Sequence, residues 1–115
     1  MPGLTEVMER ELSRARGFQS LAVVEGGERF HAVGRLDERV LPEVHELFKF
    51  MSETFKQLRG GGVRSLVAEF EDMGVVFVKL GFNSYLVATY RGLPLGTAYY
   101  EARRIASAVR EALPG

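Results

Sequence analysis

Two neighbouring segments, Val75-Val76-Phe77-Val78 and Tyr85-Leu86-Val87-Ala88, are apolar at both odd and even positions. Successive side chains of a strand point to opposite faces. Strands of this kind must therefore be covered on both sides, which excludes a sheet with one face in water. The flanking turns, Glu71-Asp72-Met73-Gly74 and Gly81-Phe82-Asn83, are too short for a crossover helix. The spacing predicts an antiparallel meander of three strands over residues 64–70, 75–80 and 84–90.

The remaining segments supply the cover. Leu4, Val7, Met8, Leu12 and Ala15 recur at helical spacing, predicting a helix over residues 4–16 that stops at Gly17. Residues 20–24 and 29–33 read as a hairpin around Gly26-Gly27. A polar connection, residues 35–41, leads to Pro42, where a helix accepts proline, and a second helix runs to about Leu58. A last helix, about 96–113, carries a stripe of Ala98, Ala102, Ile105, Ala106, Val109, Ala112 and Leu113. Its small residues permit close approach to a sheet, while Glu101, Arg103, Arg104 and Arg110 are expected to face water. The order is αββαβββα, with one helix expected on one sheet face and two on the other. This is an α/β domain with three α-β-α layers around a five-stranded, mostly antiparallel sheet. At 115 residues, positions 1–115 are expected to form a single domain.

Composition narrows the function. Lys+Arg and Asp+Glu both number 15, so the net charge is zero. Nucleic-acid binding, which draws its affinity from clustered positive charge, is not expected. Cysteine is absent, which removes disulfides, thiolate metal sites and cysteine nucleophiles. No apolar run approaches a membrane span. Glu6, Glu9 and Glu11 spoil any signal-peptide core near the start, so a cytoplasmic location is expected.

No catalytic constellation emerges. His31 and His45 have no partners at metal-ligand spacing and read as a strand and a helix-surface histidine. Glu69, Glu71 and Asp72 read as a solvated turn. In Arg59-Gly60-Gly61-Gly62-Val63-Arg64 the glycines follow a helix and precede a strand, the reverse of a phosphate-cradling loop. No serine lies in a Gly-x-Ser-x-Gly elbow. The expectation is a protein that is not an enzyme and uses no cofactor or metal.

The second helix is the informative feature. Val44, Leu47, Phe48, Met51, Phe55 and Leu58 share one face, and Phe50 widens the apolar arc to roughly 160°. One helix lying on a sheet buries about a third of its circumference. Leu47, Phe50 and Thr54 on one flank therefore need another cover. A surface for self-association or for a partner protein is expected there.

This arrangement resembles the roadblock/LC7 domain over nearly the whole chain, from about Leu4 to Leu113. The stretch that fits best is Ser65-Leu66-Val67-Ala68-Glu69-Phe70-Glu71-Asp72-Met73-Gly74-Val75-Val76-Phe77-Val78-Lys79-Leu80-Gly81. It is similar to the family's apolar strand, acidic turn, second apolar strand and glycine turn. Ser84 to Tyr90 is similar to its fifth strand, and Leu21 to Val33 fits more loosely, with Glu25-Gly26-Gly27-Glu28 at the turn. The prokaryotic MglB-like type resembles it most. The resemblance implies a profilin-like three-layer fold and a homodimer, or a heterodimer with a paralogue, that joins its sheets and pairs its central helices. It implies a platform for a small Ras-like GTPase, either a scaffold or a stimulator of GTP hydrolysis that works without an inserted arginine. It implies Glu43, Glu46, Leu47, Lys49, Phe50, Glu53, Thr54 and Gln57 as dimer or partner contacts. The chain stops just after the last helix, without the C-terminal extension of some MglB proteins, which favours plain binding over activation. A small-molecule sensor or a scaffold without a GTPase is the alternative. A sensor would need an apolar cavity between helix and sheet, and the alanine-rich last helix argues for close packing instead.

Overall fold

The computed structural model describes residues 3–26 and 28–113. The elements are α1 (Leu4–Arg14), β1 (Phe18–Glu25), β2 (Arg29–Gly34), α2 (Leu41–Lys56), β3 (Ser65–Glu69), β4 (Gly74–Gly81), β5 (Ser84–Tyr90) and α3 (Leu95–Ala112). A short 3-10 turn, Glu38–Val40, interrupts the expected polar connection, with Asp37 capping it through the Arg39 amide. Gly27, half of the expected turn between β1 and β2, lies outside the described residues.

The five strands form one antiparallel sheet in the order β2-β1-β5-β4-β3. The two-sided apolar strands lie inside the sheet, β5 at the centre and β4 beside it, and are covered on both faces as expected. Leu21, Val23, Val76, Val78, Leu86 and Ala88 face α1 and α3, whereas Ala22, Val24, Phe77, Tyr85 and Val87 face α2. The alternation required by the pleat thus serves two separate cores.

The helices cover the two faces differently. Ala98, Ala102, Ile105, Ala106 and Val109 of α3 are all buried, and the alanines let the helix lie close to β4. Glu11 of α1 is buried and accepts from Arg104 Nη1 at 2.7 Å, pinning α1 to α3. Arg110 donates to the carbonyls of Lys79 and Leu80, each at 2.8 Å. Arg104 and Arg110 are therefore tethers to neighbouring elements as well as solvent-facing charges.

Helix α2 stands off on rings. Phe48 stacks on Tyr85, centroids 4.3 Å apart, and on Phe77 at 5.3 Å. His45, expected at the surface, is half-buried and stacks on Tyr85, with its Nδ1 2.8 Å from the tyrosine hydroxyl. The low-dielectric setting holds the Tyr85 phenol well above its ordinary range. Phe48, Phe77 and Tyr85 thus form a stacked aromatic layer between α2 and the sheet.

One buried polar group stands alone. Tyr90 packs against Phe18 and lies over Gly74, which has no room for a side chain. Among the described residues nothing bonds the Tyr90 hydroxyl. A buried, unpartnered hydroxyl costs free energy. Replacing Tyr90 by Phe is expected to leave stability unchanged or raise it by up to about 1 kcal/mol in urea titration. A loss of more than about 2 kcal/mol would mean that the hydroxyl has a partner in solution.

Candidate functional site

Only Leu41 of the sixteen residues of α2 is buried. The apolar stripe read from periodicity is thus only partly covered. Val44, Phe48 and Met51 are half-buried, whereas Leu47 (53%), Phe55 (41%) and Leu58 (73%) are exposed. Leu47 lies on the flank expected to need another cover, and the sheet does not reach Phe55 or Leu58, which share the stripe, either. Phe50 is 68% exposed.

All eight candidate residues, Glu43, Glu46, Leu47, Lys49, Phe50, Glu53, Thr54 and Gln57, are exposed. At about 100° per residue they divide into two flanks. Leu47, Phe50 and Thr54, with Leu58 beyond them, form one strip, and Glu43 stands in line with it at its N-terminal end. Thr54 turns its hydroxyl to the Phe50 carbonyl at 2.9 Å, so its own helix satisfies its polarity. Glu46, Lys49, Glu53 and Gln57 lie on the other flank. Lys49 and Glu53 line a groove of about 420 Å³ with Ser52, Lys56 and the β4–β5 turn, where Phe82 is 99% exposed. The structure therefore separates an apolar strip from a charged flank, a division the sequence reading left open.

The sheet has two edges, and they differ. β2 carries the exposed Arg29, and its His31 Nε2 lies 2.9 Å from Glu25, so charge guards it. β3 reads Ser65-Leu66-Val67-Ala68 before its first charge, with all four residues only half-buried. An uncharged open edge is a template for pairing with another strand.

Sequence reasoning missed the electrostatics at the two ends of β3. At its start, Arg64, Lys79, Arg103 and Arg110 line a groove of about 530 Å³ with Ser65 and Tyr99. Among the described residues none of these four cations pairs with a carboxylate. Arg103 donates to the Tyr99 hydroxyl at 3.2 Å, and Ser65 Oγ lies 3.4 Å from that oxygen. Ser65 and then Arg103 draw the Tyr99 phenol below its ordinary range. At the far end, Glu69, Glu71 and Asp72 likewise have no cationic partner among the described residues.

Among the described residues no three His, Asp or Glu side chains gather as a metal site, and no helix is long and apolar enough to cross a membrane.

No protein-family model matches the chain, and no curated protein matches it in sequence. Solved structures do match in shape. A roadblock/LC7 domain from Streptomyces avermitilis superposes with a TM-score of 0.80 at 16% identity, covering 96% of this chain and 97% of that one. The gliding protein MglB from Thermus thermophilus gives 0.79 at 17% identity, with 95% and 87% covered. An MglB in a tetrameric arrangement gives 0.77 at 19%, with 96% and 90% covered. At these identities the likeness is one of fold, and the fold is that of roadblock/LC7 domains and MglB, as the sequence resemblance implied.

Proposed function

We propose that this roadblock/LC7-fold chain works as a dimeric, non-catalytic regulator or scaffold that binds a small Ras-like GTPase. The observation that carries the reading is the apolar strip Leu47, Phe50, Thr54 and Leu58, exposed along a helix that buries one residue of sixteen. A second copy related by a two-fold axis would cover such a strip with its own. The open β3 edge offers a second seam between copies. Charged residues flanking the strip, Glu43, Glu46, Lys49 and Glu53, then remain with Gln57 at the rim, where polar contacts set partner choice and association rate. The similarity to MglB, one example of which is tetrameric, supports self-association. The GTPase comes from the resemblance to the family.

The reading is tested by capture from a lysate of the source cells on the immobilised chain, with GDP or with a non-hydrolysable GTP analogue. Recovery of a Ras-sized GTPase with the analogue alone is expected, and hydrolysis kinetics then separate an activator from a scaffold. No GTPase in either state would overturn the GTPase part of the reading and leave a scaffold with another client.

A further inference from the structure

We infer that the groove between α2 and the β4–β5 turn binds a small phosphorylated ligand with a flat ring, the chemistry of a nucleoside diphosphate. The site goes beyond the dimer and the GTPase proposed above and depends on neither.

The chain has three lysines, and all three, Lys49, Lys56 and Lys79, line this one groove of about 420 Å³. That volume lies within the range of small-molecule sites. Among the described residues none of the three pairs with a carboxylate. Glu53 is the one carboxylate on the described walls, so the lining is cationic on balance.

The fold gathers the lysines from two elements. Lys49 and Lys56 stand about two turns apart on α2 and so share a side. Lys79 of β4 is directly opposite Tyr85 of β5, which places it on the sheet face under α2. Its Nζ lies 3.9 Å from where a Cβ on Gly62 would stand, so the absence of a side chain there leaves the ammonium open. Phe48 stacked on Tyr85 forms an aromatic wall, and His45 holds the tyrosine hydroxyl. The Gly26 amide donates to the Asn83 carbonyl at 2.7 Å and fixes the β4–β5 turn, which holds the Phe82 ring out in water at the lip.

These parts suit one kind of ligand. An ammonium is a compact point charge that meets phosphate oxygens from many directions. A groove lined by one sign of charge concentrates the opposite sign. Phosphates held by the lysines leave a ring at the lip, where Phe82 offers a face for stacking. The other basic groove, beside α3, is less free, because Arg110 is spent on the Lys79 and Leu80 carbonyls and Arg103 on Tyr99. Lys49 and Lys56 lie roughly 100–120° round α2 from Phe50, so a second copy seated on the apolar strip leaves the lysine groove open.

Isothermal titration calorimetry of the full chain with ADP and with inorganic pyrophosphate tests the site. ADP is expected to bind with a Kd below about 1 mM, and pyrophosphate more weakly. Lys56→Gln and Lys79→Gln, at exposed positions outside the proposed partner contacts, should each weaken ADP at least roughly tenfold. Phe82→Ala should weaken ADP at least roughly threefold and leave pyrophosphate unchanged. Arg103→Gln removes the same charge from the other groove and should change neither ligand. No heat with ADP at about 1 mM, or equal losses in Arg103→Gln and the lysine variants, would overturn the inference. An unchanged ADP affinity in Phe82→Ala would overturn the place given to the ring. Binding to vesicles of phosphatidylcholine and phosphatidylserine without binding of ADP would also overturn it and make the patch a membrane surface. Sedimentation equilibrium of the lysine variants should match the wild type, so failure of this site and failure of the self-association are read separately.

Discussion

Replacing Phe50 by Glu is expected to turn the dimer into a monomer, raising its dissociation constant at least roughly a hundredfold, and to leave the fold untouched. The two effects separate because Phe50 is 68% exposed and lies outside both cores of the single chain. A carboxylate there costs the monomer nothing, since water solvates it. In the dimer it would enter an apolar seam with no cation to meet it, and an unpaired buried charge is among the most expensive defects an interface can hold. Sedimentation equilibrium should give a mass near 12.8 kDa for the variant and about twice that for the wild type, with superimposable thermal melts at low concentration. The same variant should lose GTPase capture if the platform is the dimer. Unchanged self-association in Phe50→Glu would show that the strip on α2 is not the seam.

Gly34→Ala should be strongly destabilising although it adds a single methyl. Gly34 ends β2 with φ at +88°, in the left-handed region that side chains disfavour. A Cβ there would also run into the Gln19 carbonyl and the Leu12 side chain. The carbonyl cannot retreat, because it accepts from the Arg35 amide at 2.9 Å and belongs to the β1–β2 pair. The combined strain and overlap should cost about 3 kcal/mol or more, lowering the melting temperature by roughly 10–20 °C. Gly96→Ala is the matched control. It lies in α3 with open space around it, and should be neutral or stabilising by up to about 1 kcal/mol. Equal melts for the two variants would contradict this account of Gly34.

Much of the fold was legible because burial leaves a mark on composition. Val75–Val78 and Tyr85–Ala88 are apolar at both parities because two cores meet at those strands, and the helix that covers each core shows its own periodicity. The alanines of α3 announced close packing for the same reason. The outer face of α2 was harder to read. Periodicity reports that Leu47, Phe55 and Leu58 are apolar and on one side, but not how wide the covering sheet is. The arc width places Leu47 on the flank that needs another cover, whereas Phe55 and Leu58 group by periodicity with Val44 and Phe48, and the structure leaves Leu47, Phe55 and Leu58 exposed. His45 looked like a surface residue because its partner Tyr85 lies forty positions away on β5.

The charged ends of β3 were invisible for a related reason. Ser65, Lys79, Tyr99 and Arg103 converge only because the strand order puts β3 at an edge beside β4, with α3 lying across both. Net charge, which is zero for the chain, hides such a polarised edge completely. Glu69, Glu71 and Asp72 read as an ordinary turn, and nothing local in the sequence says that they lack partners.

The central claim is that a second copy covers the outer face of α2 and the β3 edge. Hydrogen exchange followed by mass spectrometry over a series of protein concentrations tests this most directly. Protection of α2 and β3 should rise with concentration, while α1 and β2 keep the same exchange at every dilution. Exchange independent of concentration throughout, or protection that grows on α1 and β2 instead, would contradict it.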